Sequence, residues 1–142
     1  MNSDMPLRKM ALDVGDKRIG IAVTDALGLT VQGRPTCRRK SPSADAEYIR
    51  ALVEEDGVVE VVVGHPRHMD GTRTRQTEKT EAFAEYLKIL LPVPVVLWDE
   101  RLTSFDAEER LEEMGLGWRK RRDHVDELAA TLILEDYLRH RA

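Results

Sequence analysis

Residues 10–25, MALDVGDKRIGIAVTD, decide the fold of this chain. Leu12 and Val14 alternate with smaller or polar residues, which is the pattern of a half-buried strand, so Asp13 faces the opposite side. The next four residues, 15–18, favour a tight turn, because glycine tolerates positive φ and aspartate can bond its own backbone. Apolar residues then alternate again. The stretch therefore predicts a β-hairpin with a carboxylate near the end of its first strand.

One face of the return strand carries almost no side-chain volume, because Gly20 and Ala22 occupy it. A carboxylate at Asp13 beside such a face suggests a site that a bulky, charged group approaches. The alternative interpretation is that Asp13 only caps the turn.

Length and composition are those of an ordinary globular protein, with 142 residues, 42% hydrophobic and 34% charged. We expect one domain covering 1–142. The single cysteine, Cys37, excludes an internal disulfide and fits a reducing compartment. No apolar run approaches the ~20 residues of a membrane span, and the N-terminus lacks the apolar stretch of a signal peptide. We therefore expect a cytoplasmic protein with no membrane partner.

The net charge of −4 does not announce a nucleic-acid partner, but the basic residues are clustered. Local potential, rather than net charge, steers a polyanion. A short basic run can equally be a solvated loop, so its neighbours must decide. The clusters lie at 38–40, at 67–75 and at 119–122.

The rest of the chain alternates between helical and strand-like patterns, and this order predicts a mixed α/β sheet. Its five strands form a three-strand antiparallel meander followed by two parallel strands, with helices on both faces. The predicted elements after the hairpin are a strand at 29–37, a helix from Ser41 to Gly57, a strand at 58–63 closed by Gly64, a helix from about Thr74 to Pro92, a strand at 95–98, a short helix opened by Thr103, and a final helix beginning near Asp123.

Three acids distant in sequence are predicted to meet at one edge of this sheet, since ligands gather at the carboxyl ends of strands. Asp13 ends the first strand. Glu100 follows the last strand, on the side of Trp98. Asp126 lies in the first turn of the final helix, on its buried stripe, and Ala130 with its alanine neighbour lets that helix approach the sheet closely.

Converging carboxylates repel one another, and a divalent cation removes the conflict. Mg²⁺ prefers carboxylate oxygens and commonly shares its shell with phosphate, and two such ions ~4 Å apart can hydrolyse a phosphodiester. Each acid also has a structural interpretation. Glu100 could pair with Arg101, and Asp126 could favour the positive end of its helix.

Four linked motifs make the chain recognisable, and they stand in order over nearly its whole length. They are DxGxxRIGxA at 13–22, VVGxPxxMDG at 62–71, DERLTS at 99–104 and DxxAAxxILxxYL at 126–138. In order and spacing they resemble the YqgF (RuvX) family, relatives of the RuvC Holliday-junction resolvases with a ribonuclease H-like fold.

The resemblance implies a metal-dependent nuclease, using Mg²⁺ or Mn²⁺, that trims the 5′ end of 16S ribosomal RNA precursors. Resolution of four-way DNA junctions is the alternative activity. The family's acidic residues fall on Asp13, Glu100 and Asp126. The partner would be nucleic acid, and the protein would act as a monomer or a homodimer.

Some residues depart from the family pattern or have two interpretations. His65 and His68 stand where apolar residues are usual, and phosphate contact or solvent exposure is preferred to metal ligation. Asp123 is either a helix N-cap, the preferred interpretation, or a fourth site acid that would favour junction cleavage. Trp118 either stacks on a base or anchors a loop.

Cations adjoin all three acids, and we expect them to hold phosphates without reading sequence. The expected nucleic-acid contacts are Arg18, Arg101, Arg119, Lys120, Arg121 and Arg122.

Two other functions fit parts of the pattern. A phosphate-binding ATPase of the actin and sugar-kinase class also opens on an Asp-x-Gly hairpin, but it needs two such domains. A non-catalytic nucleic-acid-binding module, for example in transcription, would not need to keep three acids that repel one another.

Overall fold

The computed structural model describes residues 8–66, 71–99 and 118–140, and for 118–126 it describes the backbone only. Five strands and three helices lie in these ranges. The strands are β1 (Lys9–Val14), β2 (Arg18–Thr24), β3 (Val31–Arg38), β4 (Glu60–His65) and β5 (Val95–Asp99), and the helices are α1 (Pro42–Asp56), α2 (Arg75–Leu90) and α3 (Trp118–His140).

The strands form one five-stranded sheet in the order β3-β2-β1-β4-β5. β1 and β3 pair antiparallel with β2, while β4 pairs parallel with both β1 and β5. The predicted meander with two added parallel strands is confirmed. The hairpin turn is closed by Gly15, whose N–H donates to the Arg18 carbonyl at 2.9 Å; a Cβ at position 15 would lie 2.9 Å from the same oxygen, so the turn requires glycine.

The two faces of the sheet differ in side-chain size. The large apolar residues of β1 and β2, including Leu12 and Ile21, pack on the face covered by α1 and α2. On the other face Ala11 and Ala22 pack against Ala130 of α3. The small residues of β2 therefore admit a helix. The face is covered by α3 at Ala22, and not left open to a ligand there as the sequence suggested.

The starts of α1 and α2 follow from their capping residues. The Ser41 side chain accepts a hydrogen bond from the Ala44 N–H at 3.1 Å, and Gly57 ends the helix at a φ of 67°. Thr74 and Thr77 form a reciprocal capping box at the start of α2. Both predicted helix starts are confirmed.

The start of α3 differs from the prediction. The helix begins at Trp118, so the basic run 119–122 is helical and is not a loop that precedes the helix. Asp123 lies in the second turn, and therefore the N-cap interpretation is wrong. Asp126 lies in the third turn, beyond the range in which the helix dipole favours a carboxylate. Arg and Lys are good helix formers, which explains the additional turn and a half.

The predicted short helix opened by Thr103 lies outside the described residues. None of the described helices combines the length and the apolar character that crossing a membrane requires.

Candidate active site

Asp13 lies one residue before the end of β1, directly opposite Gly20 of β2. It shares the α3 side of the sheet with Ala11, because alternate residues of a strand face the same side. Its side chain is half-buried. The end of β1 is also fixed from the other side, where the Gln76 side-chain amide donates to the Val14 carbonyl at 2.7 Å. Asp13 is thus a carboxylate on a central strand whose partner on β2 is glycine.

Trp98 of β5 also lies on the α3 side. Its indole N–H donates to Asp136 of α3 at 3.1 Å, and its ring meets Tyr137 edge-on with centroids 5.3 Å apart. In register, Leu12 pairs with Val63, and the next residue of β4, Gly64, pairs with Trp98. The ends of β1, β4 and β5 therefore reach the same edge of the sheet. Glu100 and Arg101 lie outside the described residues.

The helix α3 crosses the sheet from β5 to β3. Trp98 contacts its last turns, Ala130 packs on Ala11 and Ala22 in the middle, and a Cβ on Gly33 of β3 would lie 2.3 Å from the Glu127 side chain. Position 126 directly precedes Glu127 and lies one turn before Ala130. The backbone of α3 therefore carries position 126 next to the residue that packs on β3, one turn before the residue that packs on β1 and β2.

The first turns of α3 can be divided by helical spacing. Positions 119, 122 and 123 precede 126 by seven, four and three residues, so they lie on the same side of the helix as 126. Positions 120 and 121 lie on other sides. Positions 119 and 122 of the basic run therefore lie on the same side of the helix as position 126, and positions 120 and 121 do not. A loop would not impose this division.

The structure thus places part of the predicted site. Asp13 and Arg18 have described side chains. For Asp126, Asp123 and the run 119–122 only the backbone is described. Among the side chains that are described, no three or more His, Cys, Asp or Glu residues are grouped so that they could hold a metal ion. The three-acid set, and the part of Asp123 in it, stay predictions.

His65 is neither exposed nor available to phosphate, so the preferred sequence interpretation of it is wrong. It ends β4, is only 7% exposed, and its Nε2 lies 2.7 Å from Glu81 Oε2 on α2. Arg73 also donates to the Glu81 carboxylate, and Thr77 donates to the Pro66 carbonyl. The end of β4 is therefore tied to α2. His68 lies outside the described residues.

Replacing Glu81 by Gln should destabilise the protein by about 1 kcal/mol at neutral pH, because the hydrogen bonds of His65 and Arg73 to a charged acceptor are weakened. Burial raises the pKa of Glu81, but the hydrogen bonds from His65 and Arg73 outweigh it, so the pKa lies below its ordinary value. A lowered folded-state pKa gives stability that is present above the unfolded pKa of the carboxyl and is lost as pH falls through the folded pKa.

Urea unfolding of the protein and of Glu81→Gln at several pH values measures this effect. The difference in the free energy of unfolding should be full at neutral pH and should shrink in acid below the ordinary pKa of glutamate. The matched control is Glu85→Gln, on the same helix but with a side chain that is 68% exposed. A difference that is constant over the whole pH range would contradict the assignment.

Comparison with solved structures gives the fold class of the chain. Its fold matches RuvC of T. thermophilus in complex with a Holliday junction substrate, with a TM-score of 0.55, 16% identity and coverage of 94% of this chain and 95% of that one. The large terminase nuclease of the thermophilic phage G20c matches with a TM-score of 0.56, 15% identity and coverage of 96% and 83%. The chain therefore has a ribonuclease H-like fold.

The sequence comparison then gives the family. A family model described as RuvX, Holliday junction resolvase, matches residues 7–140, and the chain belongs to this family. Relatives named as pre-16S rRNA nucleases include one from Halothermothrix orenii, 42% identical over 94% of this chain and 96% of its own length. Another, from Syntrophus aciditrophicus, is 48% identical over 93% and 88%.

Proposed function

We propose that this chain is a divalent-metal-dependent nuclease that hydrolyses phosphodiester bonds of structured nucleic acid, and that its substrate is the precursor of 16S ribosomal RNA. The observation that carries the chemistry is the place of Asp13, half-buried at the end of a central strand and opposite a glycine. The substrate follows from relatives that share 42% and 48% of their residues with the chain and are named for this RNA.

The proposed metal ligands are Asp13, Glu100 and Asp126. Their donor atoms fit Mg²⁺ or Mn²⁺, because hard divalent cations take carboxylate oxygens. Gly20, the partner of Asp13 in the β1–β2 pair, adds no side chain of its own beside the carboxylate. When bound, the ion would activate a water and stabilise the leaving oxygen. The chain holds Asp13 on a strand and position 126 on a helix, and rigid elements of this kind reduce the reorganisation that precedes a reaction.

The cations would hold the sugar-phosphate backbone. Arg18 begins β2 at the edge of the sheet where β1 ends. Arg119 and Arg122 share the side of α3 that carries position 126. Such contacts fix the position of the strand without reading its sequence. We also propose that residues 1–142 act as one domain in the cytoplasm.

Resolution of four-way DNA junctions is the second candidate, and one observation favours it. Asp123 is not an N-cap, and it lies on the same side of α3 as Asp126. With Asp126, a fourth acid at this place would resemble the two acids that RuvC-type resolvases carry at the same spacing on their last helix.

A cleavage assay with two substrates in parallel tests the proposal. The protein is incubated with 16S precursor RNA and with a four-way DNA junction, each with and without Mn²⁺. We expect metal-dependent cleavage of the precursor on the 5′ side of the mature RNA. Metal-dependent cleavage of the junction alone would favour the second candidate. Binding of both without cleavage of either would leave the non-catalytic alternative.

The two sides of the basic run should differ in binding. Replacing Arg119 and Arg122 together by Ala should reduce the slope of log K against log salt by about 1.4, at about 0.7 for each phosphate contact on a single strand. Replacing Lys120 and Arg121 removes the same charge from other sides of α3, so the slope should change less. Salt titrations by fluorescence anisotropy measure both variants. Equal effects would contradict the helical division of the run.

A further inference from the structure

A second basic surface lies at the turn between β1 and β2, next to the end of β3. It is an open groove of about 470 Å³. Its lining contains four cationic side chains and one carboxylate. The lining residues are Asp16, Lys17, Arg18, Arg38 and Arg39. We name this surface the turn groove. It lies at the edge of the sheet where β1 ends, which is the edge of Asp13.

Arg39 forms a fixed wall of the turn groove. Its guanidinium donates to Asp45 Oδ2 and to the Gly15 carbonyl, both at 3.0 Å, and lies 4.9 Å from the centre of the Phe83 ring. Asp45 is only 2% exposed, so the charge of Arg39 is matched by a buried carboxylate. Arg39 therefore shapes the groove, and the ligand-binding charge must come from other residues.

The carboxylate that lines the turn groove, Asp16, is also paired with a cation. Asp16 Oδ1 lies 3.1 Å from Lys79 Nζ, which comes from α2 and does not line the groove. Lys17 and Arg38 are exposed, and neither has an ion-pair partner among the described residues. Positive charge thus exceeds negative charge in a concave surface, which is the arrangement that attracts an anion.

The distance to Asp13 fits a polymer. Gly20, the partner of Asp13, lies two residues along β2 from Arg18, or about 7 Å at the rise of a strand. Phosphates of one nucleic-acid strand follow each other at about 3.4 Å along the axis of a duplex. The turn groove therefore lies within about two phosphates of Asp13 along one strand.

We propose that the turn groove is a backbone subsite, in which Lys17 and Arg38 bind a phosphate of the same nucleic-acid strand whose bond is cleaved near Asp13. The proposal rests on the proposed nuclease function, because it takes Asp13 as the place of cleavage. The guanidinium fork of Arg38 suits phosphate oxygens, and Lys17 adds a point charge. Neither contact reads a base, so binding at this subsite is independent of sequence.

Binding without cleavage tests the subsite first. Lys17→Ala with Arg38→Ala is titrated with a single-stranded RNA and with a four-way junction, without divalent metal, over a range of salt. The slope of log K against log salt should fall by about 0.7 on the single strand, for the one phosphate bound at the subsite. The matched control is Arg50→Ala with Lys88→Ala, which removes the same charge from exposed positions of α1 and α2. Its slope should not change.

Substrate length gives the second measurement. Oligonucleotides that extend two or more nucleotides beyond the cleaved bond should lose several-fold in kcat/KM in the variant, whereas shorter ones should be cut at equal rates by both proteins. Lys17→Gln with Arg38→Gln keeps polar side chains at both positions and should behave in the same way, which excludes a folding defect.

The outcomes separate the subsite from the nuclease function. Equal salt slopes for the variant and its control would overturn the subsite. So would a variant that loses binding of free inorganic phosphate but binds nucleic acid as tightly as the parent. A reduced slope in a protein that cleaves neither substrate would overturn the nuclease function and keep the groove as a nucleic-acid contact.

Discussion

Asp13→Asn is expected to reduce metal-dependent cleavage at least about 100-fold, because even the groups that orient a metal ligand contribute 10- to 100-fold to affinity or activity. The substitution keeps the size of the side chain and removes its charge. Asp13 is half-buried beside a glycine, so the fold has little reason to change. Nucleic-acid binding, which depends on the cations, should be retained. Single-turnover cleavage and anisotropy measure the two effects.

The matched control for this prediction is Glu54→Gln. It makes the same carboxylate-to-amide change at an exposed position of α1, where Glu54 pairs with Arg50. We expect its cleavage rate to equal that of the parent. If Asp13→Asn cleaves both precursor RNA and four-way junctions as fast as the parent, the nuclease site is not at Asp13.

Ala130→Leu is expected to have the second largest effect, on stability and on cleavage together. Ala130 is fully buried between α3 and the sheet, where it contacts Ala11 and Ala22. A larger side chain there must push the helix from the sheet, and overpacking of this kind costs about 1–3 kcal/mol. Position 126 lies one turn away on the same helix. Its carboxylate would move with the helix, and a misplacement of about 1 Å can cost on the order of 100-fold in rate.

Ala84→Leu separates the two effects. Ala84 of α2 is also fully buried, but it packs on the opposite face of the sheet. We expect a similar loss in the free energy of unfolding and a much smaller loss of cleavage. Urea unfolding and single-turnover rates on both variants give the comparison. Equal losses of cleavage in the two variants would mean that the place of α3 has no special part in the reaction.

Most of the fold could be predicted from local patterns. The alternation around Asp13 and the glycine at 15 fix the hairpin, and the capping hydroxyls of Ser41 and Thr74 fix two helix starts. These features depend on neighbours in sequence, and therefore the sequence alone contains them.

Features that depend on contacts between distant segments were missed. The pair His65–Glu81 joins residues 16 positions apart, and a histidine after a glycine gave no sign that α2 would cover it. The start of α3 was predicted too late in the sequence, because the four charged residues 119–122 show no apolar periodicity and Asp123 is a residue type that often caps helices. The predicted meeting of Asp13, Glu100 and Asp126 depends on three distant segments in the same way, and it stays a prediction.

The most direct test of the proposed site is a crystal structure of the protein soaked with Mn²⁺ and recorded at a wavelength where manganese scatters anomalously. We expect an anomalous peak in contact with carboxylate oxygens of Asp13, Glu100 and Asp126, and its loss in Asp13→Asn. Three well-ordered carboxylates on separate surfaces, with no peak between them at millimolar Mn²⁺, would contradict the account.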